Sequence, residues 1–255
     1  MERIDDLLKT KWLGKNYRFE TEVASTNTLC YELAESGAPM GTVVAAQSQS
    51  AARGRQNRVW VSPEDGLWFS LLLRPAFSPE KAAALTVVTA VGVCRGLMYY
   101  PGLGAEIKWP NDIYAGGKKL CGILSEMKTE QKKLHYVIIG IGVNLSTAKL
   151  PSAIQKTAAG IEELLGVSID RKELLCRLLL GLESAYEQYF NGQEKELFAE
   201  WEERSLIMDR EVIVKTVGGE VAGRVVGLSE EGFLLLDMGN GKGAKIISGD
   251  VYEKD

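Results

Sequence analysis

Three arginines, Arg53, Arg55 and Arg58, fall within the nine residues Ala52-Arg-Gly-Arg-Gln-Asn-Arg-Val-Trp60. Apolar runs flank them, Thr42-Val-Val-Ala-Ala46 before and Leu67-Trp-Phe-Ser-Leu-Leu-Leu73 after. A core strand cannot bury three guanidinium groups without partners, so the segment reads as a flexible loop between two strands, built to wrap an anion. The planar arginine fork suits phosphate, and Gly54 lets the backbone come close. Taken alone, a solvated basic loop is the plainer reading. Two downstream motifs point the other way. In Lys108-Trp-Pro-Asn-Asp112, Pro110 stops a short strand and leaves Asn111 and Asp112 on a strand-end loop, where an Asx turn is the bland alternative. In Gly116-Gly-Lys-Lys-Leu-Cys-Gly-Ile-Leu-Ser-Glu126, the glycine pair makes a hairpin turn and places Lys118 and Lys119 at the start of the next strand. Two solvated lysines would be ordinary there, but a strand-held lysine is well placed to neutralise charge growing on a phosphate or acyl oxygen. Gly122, inside that strand, marks a close backbone approach to a ligand.

Other chemistries are poorly provided for. The 255 residues carry 30 basic and 34 acidic side chains, a net charge of −4, which argues against a general nucleic-acid binder and for a local basic site taking a small anion. The four cysteines, Cys30, Cys94, Cys121 and Cys176, are widely spaced and form no CxxC pair, as expected for small core residues in a reducing compartment. His135 is the only histidine and lies in an apolar run, which leaves no histidine base or multi-histidine metal site. Gly140-Ile-Gly-Val-Asn144 lacks the third glycine of a dinucleotide fingerprint, no GxxxxGK[ST] loop occurs, and Gly239–Gly243 reads as a hairpin turn. No apolar stretch approaches the ~18 residues of a membrane span and the N-terminus has no signal-like core, so a soluble, cytoplasmic protein without membrane contact is expected.

The elements that must position these residues are partly legible. Ser25 or Thr26 caps a helix over about 28–36 that Gly37 ends. Strands follow at about 42–47 and 66–73, and Ser78-Pro79 opens a long helix to about Met98. Glu106–Trp109 is a short strand, and Leu120–Met127 and Leu134–Leu145 are antiparallel strands joined at Lys128–Lys133. The pattern is helical from about 157 to 203, with Asp170 and Glu173 at capping-box spacing. After Arg204, four short strand-like runs with glycine-rich turns suggest a small all-β barrel of about 50 residues. The boundary is placed near 205, giving domains 1–205 and 206–255.

Together these residues resemble the biotin–protein ligase family. The resemblance runs through Ser25-Thr-Asn27, Gln49, Arg53-Gly-Arg55, Arg58-x-Trp60, Lys108–Asp112, Lys119-Leu-x-Gly-Ile-Leu124 and Gly140-Ile-Gly-x-Asn144, in the family's order. Two positions depart from the family's GRGRxGRxW loop: Ala52 and Asn57 replace glycines, and Asn57 tolerates left-handed backbone better than most residues. The resemblance implies an α/β (α+β) class II synthetase-like fold, the biotin–lipoate ligase fold, with a mainly antiparallel mixed sheet and helices on one face, followed by an SH3-like barrel. It implies ATP-dependent formation of biotinyl-5′-AMP, helped by Mg²⁺ at an unassigned site, then transfer to a lysine of a biotin carboxyl carrier protein. By position, Ser25, Thr26, Asn27 and Gln49 would hold the ureido ring, with Arg53, Gly54, Arg55, Lys119 and Gly122 completing the biotin site. Arg53, Arg55, Arg58, Trp60, Asn111, Lys119, Gly142 and Asn144 would bind the nucleotide. Lys119, Arg55 and Asp112 would be catalytic, Asp112 by orienting Lys119, contacting magnesium or meeting the acceptor lysine.

Family members that repress operons carry a helix-turn-helix domain, for which the stretch before Ser25 is too short, so no specific nucleic-acid partner is expected. A strand added at a sheet edge would give a homodimer, although the sequence marks no exposed edge. Three rivals remain: a lipoate or octanoate ligase, a catalytically dead biotin sensor, and an SH3-like peptide module. The phosphate-directed charge disfavours the sensor. The last needs an aromatic groove, and residues 206–255 offer only Phe233 and Tyr252.

Overall fold

The computed structural model describes residues 3–239 and 241–254. The N-terminal reading therefore falls partly, at residues 1 and 2, outside the described residues, and so does residue 240 of the expected Gly239–Gly243 turn. In chain order the elements are β1 (Tyr17–Val23), α1 (Thr26–Glu35), β2 (Val43–Gln49), β3 (Gly66–Leu73), α2 (Pro79–Ala82), α3 (Leu85–Leu97), β4 (Glu106–Lys108), β5 (Asp112–Ala115), β6 (Lys118–Glu130) and β7 (Lys133–Asn144). There follow α4 (Ser152–Gln155), α5 (Ile161–Leu165), α6 (Arg171–Phe190), α7 (Glu194–Arg204), β8 (Glu211–Thr216), β9 (Gly219–Leu228), β10 (Leu234–Gly239), β11 (Lys242–Ile246) and β12 (Asp250–Glu253). Strands β1 to β7 form a mixed sheet in the order β1-β2-β3-β7-β6-β5-β4, in which only the β1–β2 pair is parallel.

The pleat of the central strands divides their side chains between two covers. Leu67, Phe69 and Leu71 of β3 and Val137, Ile139, Ile141 and Val143 of β7 face the main core with α3 and α6. The alternate residues Val44, Leu72, Tyr136 and Ile138 meet Cys30 and Ala34 of α1. Helices therefore cover both faces, which corrects the expectation of one. The reason is visible in β3: all eight of its residues are buried, so no polar alternation marked an open side. The expected helix at 79–98 is divided into α2 and α3, with Ala83 and Ala84 between them still in right-handed helical backbone. Glycines set the α3–α6 distance, since a Cβ on Gly181 would lie 2.4 Å from the Gly92 carbonyl oxygen.

A buried carboxylate ties down the chain ahead of β1. Glu183 on α6 accepts from the backbone N–H groups of Lys11, Trp12 and Leu13 at 2.7–2.8 Å, the condition under which a buried charge is tolerated.

Beyond α7, β8 to β12 form a five-stranded antiparallel sheet in the order β11-β10-β9-β8-β12. Its barrel-like form is the SH3-like type expected, but no ladder among the described residues joins β11 to β12. Four of these strands are expected from the sequence; β12 is the fifth, and its Asp250–Glu253 is too short and too charged to stand out as a strand. This sheet docks on the first unit: Leu206 N–H donates to the Ile107 carbonyl at 2.9 Å, and the Trp109 indole donates to the Gly232 carbonyl at 3.3 Å.

Candidate active site

On the face that α1 covers, the sheet is stripped of side chains beyond the end of the helix. Gly140 and Gly142 on β7 lie opposite Leu124 and Gly122 on β6, and opposite Ser70 and Trp68 on β3. The three glycines are among the residues lining a cavity of about 450 Å³, within the usual range for small-ligand sites. Every site residue implied by the resemblance lines it, from Ser25, Thr26, Asn27 and Gln49 at one end to the arginine loop, Trp60, Asn111, Asp112, Lys119, Gly122, Gly142 and Asn144, whereas Lys118, exposed at the start of β6, does not.

The first end is a chain of hydrogen bonds. Ser25 takes the N-cap position of α1 but makes no capping bond with its side chain, and it faces the cavity. Thr26 donates its N–H to Gln49 Oε1 at 2.8 Å, and Gln49 Nε2 donates to Ser62 Oγ at 2.9 Å. Asn27 is held from both sides: Ser70 Oγ is 2.6 Å from its Oδ1, and its Nδ2 donates to Glu126 Oε2 at 2.6 Å. A Cβ at Gly140 would lie 2.2 Å from Asn27 Oδ1, so only glycine leaves room for this amide.

Lys119 reaches the cavity because of a bulge. The β5–β6 register shifts between Ile113 and Tyr114, so that Tyr114 pairs with Lys119 and Leu120 is left over. Leu120 and Cys121 are consequently both buried in the main core. Without the extra residue Lys119 would share the core-facing parity of Cys121 and Ile123; with it, Lys119 joins Gly122 and Asp112 on the cavity face. Its backbone is clamped as well, donating to Thr157 O at 2.9 Å and accepting from Ala159 N–H at 2.8 Å. Asn144 Nδ2 donates to the same Lys119 carbonyl at 3.3 Å. Lys119 Nζ sits 2.7 Å from Asp112 Oδ1 and 5.0 Å from the centre of the Trp60 ring.

Trp60 lies flat over the glycine floor. A Cβ at Gly122 or Gly142 would come within 2.9 or 2.7 Å of its indole, and its buried Nε1 has no protein partner among the described residues. Leu150, Ile154, Thr157 and Ala158 line the same cavity.

The arginine segment closes on itself through Gly54 N–H to Arg58 O at 2.7 Å and Trp60 N–H to Ala52 O at 3.0 Å. Gln56 and Asn57 both adopt left-handed backbone, φ 56° and 57°, so Asn57 does accommodate the conformation its sequence position demanded. Arg55 donates to Asn111 Oδ1 at 3.1 Å and to Ser248 Oγ at 3.0 Å, and lies 3.7 Å from Asp250. Arg58 pairs with the same carboxylate of Asp250. Burial pushes the Arg55 guanidinium below its ordinary value, while Asp250 and Asp112 pull it back, and it stays a cation. The hydrogen bond and charge of Asp250 hold Arg58 above its ordinary value. Arg53 has no side-chain partner among the described residues and is exposed. Five cationic side chains thus face two carboxylates in a chain of net charge −4.

Ser70, Ser62, Glu126, Asp250 and the 150–158 segment escaped the sequence reading. Ser70 carried a usable signal, a lone polar residue in an otherwise apolar eight-residue strand. Asp250 carried none, because its role depends on how the C-terminal sheet docks. His135 stands at the far end of β7 beside Glu130, 3.5 Å away, outside the cavity.

Comparison with known proteins agrees with this geometry. The biotin/lipoate A/B protein ligase family matches residues 20–144, and the biotin protein ligase C-terminal domain matches residues 207–252. The bifunctional ligase/repressor BirA of Bacillus subtilis is 37% identical over 247 residues, covering 96% of this chain and 76% of that protein. The biotin–[acetyl-CoA-carboxylase] ligase of Mycobacterium tuberculosis is 32% identical over 240 residues, covering 90% and 86%. The biotin protein ligase from Aquifex aeolicus, solved with biotin and ATP, superposes with a TM-score of 0.81 at 30% identity, covering 94% of this chain and all of that one.

Proposed function

We propose a two-step reaction for this chain, which belongs to the biotin/lipoate A/B protein ligase family: it makes biotinyl-5′-AMP from biotin and ATP and passes the biotinyl group to a lysine of a biotin carboxyl carrier protein. In the first step a biotin carboxylate oxygen attacks the α-phosphorus of ATP and pyrophosphate leaves. In the second, the carrier amine attacks the acyl carbon of the mixed anhydride, AMP leaves, and the amine gives up a proton. One observation carries the reading. A neutral hydrogen-bonding end and a cationic end face each other across one glycine-floored cavity, as a neutral ring ending in a carboxylate requires.

The ureido ring lies at Ser25, Thr26, Asn27 and Gln49. The carboxylate and α-phosphate lie between Arg53-Gly54-Arg55 and Lys119, beside the Trp60 ring that covers Gly122. The adenosine lies against Trp60, Gly142 and Asn144, with Leu150 and Ile154 as its apolar wall. Bringing two anions together is the electrostatic obstacle, and preorganised cations in a partly closed site lower it most effectively. Lys119 is the main catalytic group because its bulge and double backbone clamp fix where its charge sits. Asp112 orients that ammonium at 2.7 Å. Asn111 holds Arg55 while its own Nδ2 donates to Ile123 O at 2.9 Å.

No group of three or more metal-ligating side chains occurs among the described residues. The donors present fit a Mg²⁺ carried in on the phosphates with Asp112 as its protein carboxylate, since Mg²⁺ commonly uses one or two carboxylates plus phosphate. Its contribution when bound is charge neutralisation on the phosphates.

The test is transfer. Purified chain with biotin, ATP and Mg²⁺ should add one biotinyl group to one lysine of a biotin carboxyl carrier domain, read by intact mass, and nothing when ATP is omitted. A carrier left unmodified while active control ligase modifies it contradicts the reading.

A further inference from the structure

Glu126 lies outside the cavity lining, yet it ends the hydrogen-bond chain that begins there. We propose that Glu126 is a positioning residue that sets the donor and acceptor polarity of the ureido end through Asn27 and Ser70. The inference rests on the biotin reading and deepens it.

An ionised carboxylate can only accept. Asn27 must therefore turn its NH₂ to Glu126 Oε2, at 2.6 Å, and its Oδ1 to Ser70. Ser70 is fully buried and has a single proton, which this arrangement commits to Asn27 Oδ1. Ser70 Oγ is then an acceptor for its other neighbour, Thr26 Oγ1, at 2.7 Å. The Thr26 hydroxyl has two protein acceptors in reach, Ser70 Oγ and Gln49 Oε1 at 3.1 Å, so its proton stays inside the protein. What Thr26 shows the cavity is a lone pair, the partner for a ureido N–H. Ser25, whose hydroxyl makes no helix cap, is left to donate to the ureido oxygen.

Without a carboxylate at 126 the Asn27 amide is free to turn over. Its NH₂ would then face Ser70, the Ser70 proton would move to Thr26 Oγ1, and a ureido N–H would have to share that oxygen, with one lone pair left in place of two. Gly140 belongs to the same device, because a side chain there would occupy the position of the Asn27 amide oxygen.

The experiment compares wild type, Glu126→Ala and Glu126→Gln by calorimetric biotin titration and ATP–pyrophosphate exchange. Biotin analogues methylated singly on each ureido nitrogen serve as probes, and the melting temperature is recorded for each variant. Glu126→Ala should weaken biotin about tenfold, the value of one lost or mismatched hydrogen bond. The KM for ATP and kcat at saturating biotin should stay level. The preference for biotin over one of the two methylated analogues should shrink by the same factor. Glu126→Gln keeps an acceptor oxygen and should restore biotin affinity. Unchanged biotin affinity in Glu126→Ala overturns the proposal, as does a parallel loss in biotin affinity, ATP KM, kcat and melting temperature, which marks a general structural role. Glu126→Gln failing as badly as Glu126→Ala overturns it too, since charge and not acceptor polarity would then matter. Failure of wild type to bind biotin strikes the parent reading instead, and is seen before any variant is compared.

Discussion

The two ends of the cavity are held by different means. At the ureido end, Thr26, Asn27, Gln49, Ser62 and Ser70 bond to one another at 2.6–3.1 Å within the first unit, and Thr26, Asn27, Ser62 and Ser70 are buried. At the phosphate end, Arg55 and Arg58 reach across to Ser248 and Asp250 of the C-terminal sheet, and the Arg58 side chain is 60% exposed. Hydrogen bonds among buried groups are strong and fix one geometry, whereas partly exposed ion pairs are weak and screened by salt. A neutral ring is thus met by a surface set before it arrives. The triphosphate is met by charges that first have to exchange the Asp250 carboxylate for phosphate.

The largest effect is expected where the two ends meet. Lys119→Ala should lower biotin-dependent pyrophosphate exchange by about 10²–10³-fold, the usual loss for a preorganised charge-stabilising group, while biotin still binds. Normal adenylation by that variant removes Lys119 from its role. Gly140→Ala attacks the ureido end alone: its Cβ has to displace Asn27, at a cost of about 1–3 kcal/mol. Calorimetry should show biotin affinity down about tenfold with the KM for ATP unchanged, and equal damage to both constants would erase the distinction between the ends. Gly142→Ala presses on Trp60 and should raise the KM for ATP by a smaller factor, with biotin affinity held. Asp250→Asn is the mildest. Freed from the carboxylate, Arg55 and Arg58 should bind phosphate more readily, lowering the KM for ATP by up to about fivefold at low salt and less at high salt, in line with the value of exposed ion pairs. A raised KM would instead assign Asp250 to the nucleotide or its metal ion.

Much of this was written in the sequence at the level of motifs. The arginine run, the Pro110 strand stop and the glycine spacings of β6 and β7 named the residues that line the cavity. Their mutual geometry was less legible. That Lys119 faces the cavity depends on the extra residue at Leu120, which no alternation pattern announces because Leu120 and Cys121 are both apolar. The cover of α1 on the second sheet face was hidden by strands apolar on both sides. Strand β1, with its mixed pattern Tyr-Arg-Phe-Glu-Thr-Glu-Val, went unread, as did β5, which is only four residues long. The clasp between Arg58 and Asp250 joins residues 192 positions apart and follows from domain docking alone.

ATP–pyrophosphate exchange with purified protein, supplied with biotin, lipoate or no acid, tests the central claim most directly. Exchange that depends on biotin and is absent with lipoate or no acid is the predicted result, because only a ureido ring satisfies Ser25 and Thr26 while its carboxylate reaches Lys119. Exchange driven by lipoate, or tight biotin binding without any exchange, would contradict it.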